Sequence, residues 1–151
     1  MLNKKLGYIA VILIFFLFIF ALFHQTHVPT KIFENKFVKF SMPDDIVVVD
    51  MSNDSCEINF FNDTPITGDR LDPNFIADLR NVNLDYISNM TNITDITIVN
   101  GINATEFVDK SNNTFNLFIP LKNRNSALLF EIYLTETEST YETIKNSLLI
   151  K

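Results

Sequence analysis

Few residues in this chain have chemistry to offer, and their spacing limits it further. Asp44, Asp45, Asp50 and Asp54 gather around one short stretch. A hard cation such as Ca²⁺ takes ~6–8 oxygen ligands. The four acids lack the spacing of a calcium-binding loop, and extended segments separate them. Asp44 and Asp45 are therefore the only candidate metal ligands, with a solvated acidic turn as the simpler reading; no cofactor is expected. The two histidines, His24 and His27, stand three apart, close enough to share a helical face, but no carboxylate or cysteine lies nearby to complete a site. Beyond residue 27 there is no histidine, which excludes histidine-based triads, Cys–His pairs and most catalytic zinc sites. Three glycines, Gly7, Gly68 and Gly101, cannot make a phosphate-cradling loop. A carboxylate-pair hydrolase would need two acids ~5–10 Å apart across a cleft, and no spacing here announces such a pair. The chain reads as a non-enzyme. The lone thiol, Cys56, alternates in phase with Ile58 and Phe60 and reads as a buried core residue, the other reading being an intermolecular disulfide.

Six N-x-[S/T] triplets mark Asn53, Asn62, Asn89, Asn92, Asn103 and Asn112 as candidate glycan acceptors. Most fall in expected turns, and none at a position expected to face inward. Asn89 and Asn92 are close enough for two sugars to collide.

Whether such triplets can be used depends on compartment. Residues 6–23, LGYIAVILIFFLFIFALF, carry no charge and no polar face. Eighteen helical residues rise about 27 Å, close to the ~30 Å core of a bilayer. The flank Ala21-Leu22-Phe23-His24 is not a small-x-small cleavage site, so an uncleaved signal-anchor is expected. Lys4 and Lys5 place residues 1–5 in the cytoplasm. A stalk over 24–32 then leads to an extracytoplasmic domain over 33–151, and the chain is expected at a cell membrane as a single-pass protein that meets lipid through residues 6–23. All eighteen acids follow residue 23, against ten basic residues, the chain's twelve less Lys4 and Lys5. That excess of eight negative charges repels phosphate and argues against nucleic acid as a partner.

The elements that must position these residues follow from periodicity. FVKFSM alternates Val38, Phe40 and Met42 on one face, Pro43-Asp44-Asp45 turns, and IVVVD and SCEINFF continue as strands. Asp72 can cap a helix and Pro73 suits its first position; Phe75, Leu79, Val82 and Tyr86 recur at spacings of four, three and four, predicting an amphipathic helix to about Met90. Asn100-Gly101 predicts a hairpin between DITIV and INATEFVDK. The apolar phase slips between Ala104 and Phe107, predicting a bulge near Glu106. FNLFIPL and ALLFEIYL alternate strictly, Pro120 placing the first near a sheet edge or a strand end. Ser139-x-x-Glu142 has capping-box spacing for a final helix. The expected class is α+β: an antiparallel sheet packed with helices behind the N-terminal transmembrane helix.

Phe40, Ser41, Met42 and Pro43, then Gly101 and Ala104, then Asn146 and Ser147 stand in an order that resembles the PsbP-like family, in particular small membrane-anchored archaeal members. The resemblance covers residues 33–151. It implies an α-β-α sandwich and a role as an accessory or interaction module for an unidentified protein or envelope partner. Ile46 stands where the family often carries Trp, and no catalytic motif is carried over. Two alternatives remain beside that reading, a small-ligand or cation-binding domain and a carboxylate hydrolase.

Overall fold

The computed structural model describes residues 12–16, 29–89, 93–122, 125–135 and 138–151. Its elements, in chain order, are β1 (Thr30–Glu34), β2 (Val38–Pro43), β3 (Val47–Asp50), β4 (Glu57–Phe61), β5 (Phe75–Asn83), a 3-10 turn (Leu84–Asn89), β6 (Ile93–Val99), β7 (Ile102–Asp109), β8 (Thr114–Pro120), β9 (Ser126–Tyr133), helix α1 (Glu138–Ser147) and β10 (Leu149–Ile150). Two sheets form. The larger runs β3-β4-β5-β9-β8-β7-β6, the smaller β1-β2-β10, and every neighbouring pair is antiparallel.

One face of the large sheet packs against the small sheet and α1. Val38, Phe40 and Met42 of β2 meet Ile58 and Phe60 of β4, Leu79 of β5, Leu117 and Ile119 of β8, Phe130 and Ile132 of β9, and Tyr141 and Ile144 of α1. Phe130 sits at the centre. Its ring stacks on Tyr141 at 5.7 Å between centroids and takes the edge of Phe60 at the same distance. The second face carries a smaller apolar group, Phe107, Phe118, Ala127 and Leu129, under Val82, Leu84, Tyr86 and Ile87 of β5 and the 3-10 turn. Because both faces are covered, the expected bulge at Ala104–Phe107 has another explanation. Ala104 enters the first core and Phe107 the second, so the phase slip is an ordinary strand buried on both sides. The irregularity in that pair lies on β6, between Ile93 and Asp95, across from Phe107 and Glu106.

Three expectations are corrected. The segment from Asp72 to Met90 is not a helix: Phe75–Asn83 is a central strand between β4 and β9, followed by the 3-10 turn. Ile76 to Leu79 are buried one after another, which a helix stripe and a strand buried on both faces produce alike; the pairing partners decide it. Asp72 still satisfies backbone donors, but those of a loop (below). Second, the α+β, α-β-α sandwich class gives way to a mostly β architecture, since among the described residues helix covers only part of one face. Third, no helix among the described residues is long and apolar enough to cross a membrane. Of the expected anchor at 6–23 the structure describes 12–16, exposed and helical, a rise of about 7 Å against the ~30 Å a span needs. The rest of 6–23, residues 1–5 and most of the stalk at 24–32 lie outside the described residues. The single-pass topology and the cell-membrane location do not stand on this structure.

Other expectations hold locally. Asn100 and Gly101 both take positive φ, 50° and 73°, as a two-residue hairpin of the primed type requires. Pro120 is the last residue of β8. The expected final helix forms, but it begins at Glu138, so Ser139 lies inside its first turn and not at the expected cap position. Its far end is tied to β2: the Ser41 N–H donates to the Ser147 hydroxyl at 2.7 Å, and that hydroxyl donates to the Thr143 carbonyl at 2.7 Å.

Candidate functional site

A cleft of about 320 Å³ opens where the small sheet meets one end of the large one. Its apolar wall is Phe37 and Ile150 from the small sheet and Ile102, Leu121 and Leu128 from β7, β8's exit and β9. Asn81, Asn100, Lys122 and Lys151 supply the polar groups. Asn81 is fixed: its Oδ1 accepts the Cys56 N–H at 2.7 Å and its Nδ2 donates to the Ala127 carbonyl at 3.5 Å. The Lys151 ammonium donates to Glu34 at 2.8 Å and to the Asn35 carbonyl at 2.6 Å. Glu34 is in turn held at about 2 by its hydrogen bonds with Lys151 and Lys39. Lys122 and Asn100 are exposed at the rim. The cleft is thus apolar inside and cationic to neutral-polar at its mouth. A second cleft, about 270 Å³, lies beside α1, with Phe115, Ile132 and Leu134 inside and Glu138 and Glu142 at its edge.

The second face of the large sheet holds a different constellation. Asp78 of β5 and Glu131 of β9 are directly opposed in register. Asp78 is buried and accepts from the guanidinium groups of both Arg70 and Arg80; Arg80 reaches on to Glu131 at 2.9 Å. Asn59 and Asn116 are buried polar neighbours in register with Asp78 and Glu131 on the flanking strands, and the buried Thr114 hydroxyl accepts from the Asn116 side chain at 3.0 Å. Burial pushes the Asp78 carboxyl up to about 8; Arg70 opposes this, and the charges of Glu131 and Glu57 add to it. Burial also raises Glu131, again against Arg70. Two carboxyls in one low-dielectric site with separated environments are what general acid–base chemistry uses. Here, however, each is tied to a guanidinium, and Asp78 is only 2% exposed.

Arg70 comes from the loop 62–74, which Asp72 organises. Its Oδ2 accepts the N–H groups of Ile66, Thr67 and Gly68 at 2.6, 2.7 and 3.2 Å, and its Oδ1 that of Asn74 at 2.9 Å. Burial alone would raise this carboxyl; the backbone donors of Asn74, Thr67, Gly68 and Ile66 instead hold it at about 2. The loop is pinned further by the Asn59 side chain, which donates to the Gly68 carbonyl at 3.2 Å. Ile66 and Leu71 project from it, 77% and 92% exposed.

The residues singled out in the sequence are scattered. Asp44 and Asp45 sit exposed in the turn after β2, where the Asp44 carbonyl accepts from Lys31 at 2.7 Å. No group of three or more His, Cys, Asp or Glu able to hold a metal occurs among the described residues. Asp50 accepts from Asn35 and from the Ser52 N–H, well away from Asp44 in the register. Asn53, Asn62, Asn103 and Asn112 are exposed, Asn112 donating to Asp109 at 2.8 Å; the side chain of Asn89, and Asn92, lie outside the described residues, as do His24 and His27. Cys56 is buried at 1% exposure, with burial pushing its thiol up to about 12, so it is closed to an intermolecular disulfide. The sequence reading missed Asp78, Glu131 and Arg70 altogether. A signal was present: Glu131 interrupts ALLFEIYL among residues buried on both sides, and Asp78-x-Arg80 falls on one face once β5 is a strand.

No family model, no curated protein and no solved structure matches the chain.

Proposed function

We propose that residues 30–151 form a non-catalytic binding module whose cleft between the two sheets takes a small organic anion with an apolar body. The observation that carries the reading is the cleft itself: about 320 Å³, walled by Phe37, Ile102, Leu121, Leu128 and Ile150, with Lys122 and Lys151 at the mouth. That volume lies at the lower end of the ~300–1,000 Å³ usual for small-molecule sites, and an apolar interior with a few polar groups is their usual lining. An apolar tail gains from leaving water while a carboxylate stays near the two ammonium groups and the Asn100 amide. The non-catalytic reading draws support from the Asp78–Glu131 pair, whose carboxyls are already engaged by Arg70 and Arg80.

A second reading, an accessory module for a protein partner, is favoured by Ile66 and Leu71, two large apolar side chains held out on a loop that Asp72 fixes. The test titrates benzoate and hexanoate, with benzylamine and hexylamine as opposite-charge controls, while following the amide resonances of Asn81, Asn100, Ile102 and Leu128. Shifts with the carboxylates alone, lost in Lys122→Glu and in Leu128→Trp, are expected. Equal response to the amines, or none to any of the four, defeats the ligand reading. Loss of a co-purifying protein in Ile66→Ser/Leu71→Ser would favour the second.

A further inference from the structure

The two edges of the large sheet are unlike. β3 is four residues long and ends at Asp50, whose carboxylate is bonded to Asn35 and Ser52. β6 is seven residues long and, among the described residues, pairs on one side only, with β7. Protein edges are commonly blunted by lysine, proline or a bulge. β1, the outer strand of the small sheet, carries Lys31 next to its exposed Ile32. From Asp95 to Val99, past the irregularity at Ile93–Asp95, β6 has no basic residue and no proline. Instead it presents Ile96 and Ile98, 77% and 73% exposed, on the same face.

The backbone of β6 is set up in a matching way. Val99 and Ile102 flank the two-residue turn and exchange both hydrogen bonds of a narrow pair, so Thr97, which faces Ala104, is the next residue bonded inward. By the same alternation Ile96 and Ile98 point their N–H and C=O groups away from β7, toward the open edge. A strand added there must bring outward-directed groups two residues apart. β6 itself has that arrangement. Turned about a two-fold axis through Thr97, it sets Ile96 opposite Ile98 of a second copy and Ile98 opposite Ile96. Each opposed pair is then a hydrogen-bonded pair, giving four main-chain bonds. All four isoleucines meet on one face, and Thr97 faces Thr97 on the other. Asp95 falls opposite Val99, which offsets the two Asp95 backbone positions by about 14 Å along the ladder at ~3.4 Å per residue.

We propose that β6 is a self-association edge, at which two copies of this chain pair antiparallel about Thr97 and join their large sheets into one continuous sheet. A closed two-fold contact of this kind uses the same patch on both partners and ends at the dimer.

Thr97→Cys in the full chain tests the register. Paired as proposed, the two substituted positions form a non-hydrogen-bonded pair with their Cα atoms about 4.5 Å apart, within the span of a disulfide. Thr105→Cys is the control: it lies one strand further in, so two copies stand roughly three strand spacings of ~4.8 Å apart and cannot bridge. Wild type, whose only thiol is the buried Cys56, is the blank. With oxidised glutathione, Thr97→Cys is expected to run mostly as a disulfide dimer on a non-reducing gel, and adding Ile96→Lys with Ile98→Lys is expected to remove it. A dimer yield for Thr97→Cys no higher than for Thr105→Cys overturns the proposal. Should the substituted chains not fold, hydrogen exchange on wild type decides. The amides of Ile96 and Ile98 are expected to slow at least tenfold as protein concentration rises from micromolar to millimolar; exchange at the rate of exposed loop amides throughout overturns it.

Discussion

Raising the pH from about 5 to about 8 should weaken the fold, and Asp78 is the reason. Its carboxyl is pushed up to about 8 by burial, with Arg70 opposing, while in an unfolded chain an aspartate titrates near ~3.9. Between these values the folded chain holds a proton that the unfolded chain has released. Stability from this group is therefore fully present below about pH 4, falls as pH rises, and is gone above about pH 8. One proton gives a slope of about 1.4 kcal/mol per pH unit, so the loss from about pH 5 to about pH 8 is on the order of 4 kcal/mol. Burial raises Glu131 as well, which acts in the same direction. Asp72 and Glu34, both held at about 2, are ionised in both states across this window, and their effect is confined to lower pH. Urea unfolding of wild type and Asp78→Asn at several pH values reads the difference through the midpoint at constant m. Asn keeps the shape without a titrating proton, so its curve should slope down less steeply than that of wild type, Glu131 keeping its own share. Parallel curves for the two proteins, or a wild type that gains stability between about pH 5 and about pH 8, would refute the reasoning. The second outcome would mean that Arg70 and Arg80 outweigh burial.

Two further substitutions probe the scaffold. Phe130→Ala removes a ring that is fully buried between Phe60 and Tyr141, and should cost about 3–5 kcal/mol, read as a lowered urea midpoint without a change in m; under about 1 kcal/mol would mean the core closes over the gap. Gly101→Ala meets no steric neighbour but must hold φ at +73°, so a loss of roughly 1 kcal/mol is expected from backbone strain alone, and an unchanged midpoint would count against the turn geometry.

The strands with one clean alternation were legible in the sequence. Val38-Phe40-Met42, Phe115-Leu117-Ile119 and Leu128-Phe130-Ile132 each point to the core that the structure gives them. The central strand was hidden because the large sheet is covered on both faces. β5 buries Ile76, Ala77, Asp78 and Leu79 in succession, and a run without period two reads as helix when Asp72 and Pro73 stand before it. With β5 expected as a helix, Asp78 and Arg80 do not fall on one strand face, so the carboxyl pair with Glu131 could not be foreseen; it depends on strand register, which no local pattern encodes. The acids that cluster in sequence, Asp44 and Asp45, remain exposed in a turn. The cleft between the sheets was equally invisible, because its walls come from residues as far apart as Phe37 and Ile150.

The clip between Ser41 and Ser147 spans 106 positions, and β10 pairs with β2 across a similar distance. During synthesis, then, β2 must wait. Its apolar face, Val38, Phe40 and Met42, is made early but stays without α1 and β10 until residue 150 has left the ribosome. Closing so long a loop costs chain entropy before the contacts that reward it form, and an apolar strand left waiting is a site for wrong contacts. A nascent chain stalled before α1 should therefore be a client for chaperones that recognise short apolar segments. The same few residues at 147–151 that complete the small sheet would act as the release signal.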